Sequence, residues 1–152
     1  MKEKDVGELA RENYMKGFGC AESILHALKD KGVIDVPDEL LRAATGFGTG
    51  MGGEGMTCGA ITGPIMAVGL KYGRTNPKDS TSPAYKKSQK VVETYADKFK
   101  TTECATVTKV WREREEFHTP ERRKFCSAIV RYMARETEKI LAEEGDKQSR
   151  SE

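Results

Sequence analysis

The 152-residue chain has no CxxC pair, only two histidines, no GK[ST] sequence and no long apolar run. Each absence removes a class of function. Without CxxC spacing, Cys20, Cys58, Cys104 and Cys126 form neither a zinc ribbon nor a thioredoxin-type motif. Without GK[ST] there is no Walker loop, and neither HExxH nor a Ser–His–Asp arrangement is visible. The longest uncharged run, Gly55 to Leu70, is too short and too glycine-rich for a membrane span. The opening MKEKDVGELARENY lacks the apolar segment of a secretory signal. Charge of one sign is missing too: 26 Lys and Arg face 24 Asp and Glu, for a net +2. Nucleic-acid binders usually carry a strong basic excess. A cytoplasmic protein is expected, without membrane insertion and without a nucleic-acid partner.

Alternating strand patterns longer than four residues, internal repeats and low-complexity tracts are also absent. Apolar periodicity of the helical kind takes their place. It predicts helices over 5–16, 20–31, 38–45, 58–71, 85–100, 104–110 and 119–144. Gly17, Gly19 and Gly32 punctuate the first two, and Pro37 precedes the third. Thr119 and Pro120 are a strong start for the last helix, with Thr as cap and Pro in the first turn. Its apolar stripe is Cys126, Ile129, Val130, Met133, Thr137, Ile140 and Leu141. The sequence WREREEFH, 111–118, reads as a charged linker anchored by Trp111. The expected fold is all-α: one irregular bundle of six or seven helices over 1–144, with a glycine-rich loop before the fourth helix. The tail 145–152 is expected to fray.

That loop stands apart from the charged helices around it. GTGMGGEGMTCGAITG, Gly48 to Gly63, holds seven glycines and Cys58. Glycine serves where backbone needs positive φ or close approach. Gly59 and Gly63, four apart, would let another helix come close. Pro64 removes a backbone bond to Ala60, so a kink or a late helix start is expected there. Gly48, Gly50 and Gly53 make a formal GxGxxG, but no strand precedes it, so no nucleotide site is expected. Glycine amides ahead of a helix suit an anion or a sulfur, which makes Gly53, Gly55 and Gly59 candidates to contact a bound group.

Three of the four cysteines fall where a helix should begin: Cys20 after Gly19, Cys58 after Thr57, and Cys104 after TTE. The partial positive charge and free N–H groups of a helix start stabilise a thiolate. Cys126 lies in the second turn of the last helix. His26 and His118 read as exposed helix and loop residues. Glu54 and Glu103 sit near thiols in sequence and are expected to face solvent. Arg122, Arg123, Lys124, Arg131 and Arg135 read as a solvated helix face.

This constellation resembles the C_GCAxxG_C_C family of redox-active proteins. The carrying residues are CGAITG (Cys58–Gly63), AATGFGTGMGGEG before it, Cys20 in GFGCAES, Cys104 in TTECA and Cys126 in RKFCSA. The resemblance spans about Lys16 to Met133, and Pro64 departs from it. It implies a redox role. A similar domain accompanies haem domains in split-Soret-type cytochromes, where an iron–sulfur site has been suggested. Haem does not carry over, because this chain has no CxxCH. Family members encoded near transporters suggest a redox or transporter-associated partner.

Three readings remain open at this stage. All four cysteines could ligate an iron–sulfur cluster or zinc, since four thiolates suit either. Alternatively Cys20 and Cys58 are a catalytic thiol–disulfide pair. In the third reading the cysteines only pack, and the small-residue helix 58–71 is a packing or dimer face. A homodimer is a base-rate expectation.

Overall fold

The computed structural model describes residues 3–143, so the tail expected to fray lies outside the described residues. Eight α-helices and one 3-10 turn make up the fold, and no strand occurs among the described residues. The helices are α1 (Val6–Lys16), α2 (Cys20–Asp30), α3 (Asp38–Ala43), α4 (Gly59–Tyr72), α5 (Ser82–Phe99), α6 (Cys104–Val107), α7 (Lys109–Glu113) and α8 (Pro120–Ala142). The 3-10 turn, Thr45–Phe47, leads into the glycine loop.

Local chemistry fixes most boundaries. The Asp5 carboxylate accepts the Glu8 N–H (2.9 Å) and caps α1. Gly17, at φ 122°, ends it. Glu22 reaches back to the Gly19 N–H (2.8 Å) at the start of α2. Thr119 caps α8, and Pro120 occupies its first turn. The stripe read from the sequence of α8 is buried throughout: Cys126, Ile129, Val130, Met133, Thr137, Ile140 and Leu141.

Two expectations are corrected. The predicted helix 104–110 is two helices, because Thr108 (φ −103°, ψ 12°) interrupts it. Its hydroxyl donates to the Cys104 carbonyl (2.6 Å), which also accepts the Thr108 N–H (3.0 Å). A threonine bonding back to the preceding turn competes with helix propagation. The second piece, α7, takes Trp111 to Glu113 from the expected linker, which brings the count among the described residues to eight where six or seven were expected. Pro64 does not delay α4, which starts at Gly59 with Pro64 buried inside it. Proline deprives only the Ala60 carbonyl of its partner. The close seat of this turn on α2 holds the helix in place.

That seat is made by small residues. A Cβ on Gly63 would lie 2.8 Å from Ala21 Cα, and one on Gly59 would lie 2.9 Å from Cys20 Cβ. The first turns of α2 and α4 therefore meet backbone to backbone. Long α8 packs along α1 and also covers α2, α4 and α5. Ile24, Leu25, Leu28, Ile61, Val68, Val91, Val130, Met133 and Leu141 form the fully buried centre. Tyr95 of α5 closes it from the far side with no exposed surface. No helix among the described residues is long and apolar enough to cross a membrane.

The glycine loop supplies the remaining geometry. Gly50, Gly52, Gly53 and Gly55 all have positive φ, and so do Thr49 and Met51. Left-handed backbone is cheap for glycine and strained for the other two. The coil is closed by its own bonds, Gly53 N–H to Gly48 O (3.1 Å), Gly55 N–H to Thr49 O (3.2 Å) and Met56 N–H to Gly50 O (2.9 Å). Its outgoing end pairs with the start of α6. Cys104 N–H donates to Met56 O (2.6 Å), Ala105 N–H to Gly55 O (2.9 Å) and Cys58 N–H to Thr102 O (2.9 Å). Thr57 and Glu103 form an isolated antiparallel bridge there. This short ladder carries Cys104 to the side of Cys58.

Candidate functional site

Three local devices thus bring three helix starts together. Cys20 is the first residue of α2, Cys58 the cap of α4, and Cys104 the first residue of α6. Cys126 joins them from the second turn of α8. All four line one cavity of about 170 Å³, whose walls also include Tyr14, Gly50, Gly59, Thr108 and Arg122. All four are free thiols; Cys20 is half-buried and the others are buried.

The four differ chemically. Cys58 is the acidic one, with its pKa lowered to about 7. The Cys20 thiol donating to it is the main cause, followed by the Tyr95 hydroxyl and the Ala60 amide in the first turn of α4. Cys20 is driven the other way: it keeps its proton as donor to Cys58, burial disfavours its charge, and neighbouring thiolates repel it. Burial and the Cys58 charge raise Cys104, which the Arg112 guanidinium partly offsets from 3.7 Å. Burial likewise raises Cys126, against a hydrogen bond from Arg122. The Tyr95 hydroxyl is buried and faces Cys58 without making a full hydrogen bond. Burial and the facing Cys58 push its own pKa up, so it remains a donor.

Several functional neighbours escaped the sequence reading. Arg122, expected on a solvated face, is only 6% exposed. Its Nε donates to the Phe117 carbonyl (2.6 Å) and its Nη1 to the Tyr14 hydroxyl (2.6 Å). Arg123 is half-buried, stacked over the Tyr14 ring at 4.3 Å and bonded to the Tyr14 carbonyl. Both turn inward because the first two turns of α8 cross the end of α1. Arg112, from the expected linker, bonds Thr108 Oγ1 (2.8 Å) and Cys104. Both guanidiniums pack over the Phe117 ring, Arg112 at 4.4 Å and Arg122 at 4.1 Å from its centre.

The glycines divide by position. Gly59 lines the cavity, and any Cβ there would strike Cys20. Gly50 also lines it, 2.8 Å from Cys104 Cβ when given a Cβ of its own. Gly55 packs against Ala105 instead, and Gly53 is exposed with nothing within 4 Å of its side-chain position. The Gly53 and Gly55 amides are bonded within the loop, so neither reaches a thiol. His26 stacks on Phe18 (4.5 Å) and His118 is exposed; neither lines the cavity. Glu54 is exposed, whereas Glu103, expected to face solvent, is half-buried. Among the described residues no three or more His, Cys, Asp or Glu side chains stand grouped so as to hold a metal ion.

Comparison with known proteins adds one match. Residues 18–140 match the family described as "Putative redox-active protein (C_GCAxxG_C_C)". No curated protein and no solved structure matches the chain. The matched span takes in all four cysteines, the glycine loop and the arginines beside them, and it covers most of the chain. A redox role follows at the level of the family, and the chain belongs to the C_GCAxxG_C_C family.

Proposed function

We propose that Cys20, Cys58, Cys104 and Cys126 together bind an iron–sulfur cluster and that the protein transfers electrons. The observation that carries this is the shared cavity: four cysteines from four separate helices line one void of about 170 Å³. A single zinc ion would need its four sulfurs drawn in to about 2.3 Å. Thiols set around a void suit a polynuclear group better than a point ion. The surroundings suit the anionic sulfurs of such a group. Ala60 N–H and Tyr95 OH face Cys58, Arg112 faces Cys104, and Arg122 faces Cys126. Donors of this kind orient ligands and tune potential. When bound, the cluster would supply one-electron chemistry, and the chain's own residues would hold it, balance its charge and keep water off it. The electron partner is proposed to be a separate redox or transporter-associated protein.

A second reading has its own observation. Cys20 stands beside Cys58, whose pKa is lowered to about 7. As a dithiol, the Cys58 thiolate would attack a substrate disulfide and displace one thiolate. Cys20 would then attack the mixed disulfide, leaving a Cys20–Cys58 disulfide and a fully reduced substrate. Iron and acid-labile sulfide analysis, with a visible spectrum, on protein purified without oxygen separates the two. Both elements with charge-transfer bands support the cluster. Two reversible electrons without metal would replace it with the dithiol.

A further inference from the structure

We propose that Arg112 and Arg122, both packed over the Phe117 ring, set the reduction potential of the four-cysteine centre by balancing its negative charge. The inference rests on reading the four cysteines as one redox centre, but not on whether that centre carries iron.

The geometry is specific on both sides. Arg122 is 6% exposed and has directed bonds to two partners, the Tyr14 hydroxyl and the Phe117 carbonyl. Its remaining capacity faces Cys126. Arg112 is anchored by Thr108 Oγ1 at 2.8 Å, and its Nη2 lies 3.7 Å from Cys104 Sγ. Thr108 itself is buried and bonded back to the Cys104 carbonyl, so the arginine and the cysteine share one rigid turn. Each guanidinium lies over the Phe117 ring, at 4.4 Å for Arg112 and 4.1 Å for Arg122, which holds both without neutralising either. No carboxylate bonds or pairs with either arginine among the described residues: Arg112 reaches Cys104, and Arg122 lines the same cavity as Cys126 with its charge unneutralised.

The electrostatics then have a definite sign. Reduction adds negative charge to the centre, as an electron in a cluster or as the Cys58 thiolate left when a Cys20–Cys58 disulfide takes two electrons and Cys20 takes a proton. A fixed cation near the sulfurs favours the reduced form, and low dielectric strengthens the effect at a buried site. Removing a guanidinium lowers the potential. A hydrogen bond to a charged group is worth about tenfold or more in an equilibrium. The buried Arg122 is therefore expected to favour the reduced form about tenfold or more, and the longer, half-buried Arg112 contact somewhat less. Tenfold corresponds to about 59 mV for a one-electron couple and about 30 mV for a two-electron one.

The test measures midpoint potentials for the native chain and for Arg112→Gln, Arg112→Lys, Arg122→Gln and Arg122→Lys. Protein that carries iron is titrated optically with dithionite. Iron-free protein is equilibrated in reduced and oxidised dithiothreitol and its thiols are counted by alkylation. Iron content of the native chain thus judges the cluster proposal separately from this one. Both Gln variants should shift toward the oxidised form, with the Lys variants closer to native. Should Arg122→Gln fail to fold, Arg112→Gln decides alone, since its side chain is half-buried. Folded Gln variants at the native potential would overturn the inference, and so would Lys variants that shift as far as Gln.

Discussion

Alanine at Gly50 and at Gly53 should have very different consequences, although both glycines sit in the same coil at similar φ (71° and 81°). Left-handed backbone costs an L-residue about 1–2 kcal/mol. At Gly53 nothing lies within 4 Å of the new Cβ, so that strain is the whole cost, about 1 kcal/mol. At Gly50 the new Cβ would lie 2.5 Å from Met56 N, 2.7 Å from Gly55 C and 2.8 Å from Cys104 Cβ. Two of the three are backbone atoms and cannot rotate away. Met56 is held between Gly50 O and Cys104 N–H, so relief requires prising the loop from α6. Overpacking of this kind adds about 1–3 kcal/mol, for a total of about 3–4 kcal/mol. In a domain of this size each kcal/mol lowers Tm by about 2–4 °C. Thermal unfolding followed by circular dichroism should therefore fall by about 10 °C for Gly50→Ala and about 3 °C for Gly53→Ala. Equal losses would refute the assignment of Gly50 to the wall of the cysteine cavity.

Other outcomes follow from single contacts. Gly63→Ala places a Cβ 2.8 Å from Ala21 Cα and should cost about 2 kcal/mol in urea unfolding, while Gly69→Ala, with nothing within 4 Å, should gain about 0.5–1 kcal/mol. Tyr95→Phe deletes a buried hydroxyl that makes no full hydrogen bond, so stability should stay within about 1 kcal/mol of native. In metal-free protein the same change removes a donor to Cys58. Its alkylation by iodoacetamide, expected to rise through about pH 7 in the native chain, should then rise at higher pH. Asp5→Ala removes the α1 cap and a two-point pair with Arg135 (2.7 and 3.2 Å), a loss of about 1–2 kcal/mol, and Asp5→Asn, which can still cap, should lose less. The Asp5 carboxyl titrates below its ordinary 3.8, so its contribution is present at neutral pH and fades as pH falls below that value. The deficit of Asp5→Ala should shrink accordingly at pH 3.

The all-helical bundle was legible because its signals are local. Caps, prolines and a 3.6-residue period act within one or two turns, and the buried stripe of α8 follows from them alone. The three helix-start cysteines were legible for the same reason. Their convergence was hinted at by Gly59 and Gly63, whose spacing marks a close crossing, but the partner turn at Ala21 is a tertiary fact. The arginines were lost because charged residues near a helix start usually face water. Arg122 lies one helical turn before Cys126, the sole local sign that the two share a face. Arg112 was hidden by the break at Thr108, since a back-bonding threonine and a helical one read alike in sequence. Tyr95 faces Cys58 from α5 through packing between elements almost forty residues apart in the chain, which no local signal reveals.

The most direct test of the central claim removes each thiol in turn. Cys20→Ala, Cys58→Ala, Cys104→Ala and Cys126→Ala would be prepared without oxygen beside the native chain. Iron, acid-labile sulfide and the visible spectrum would be measured for each. If the four cysteines form one centre, every variant loses the native iron content and spectrum. If Cys104→Ala or Cys126→Ala keeps both unchanged, the sulfurs do not act as one site and the account is contradicted.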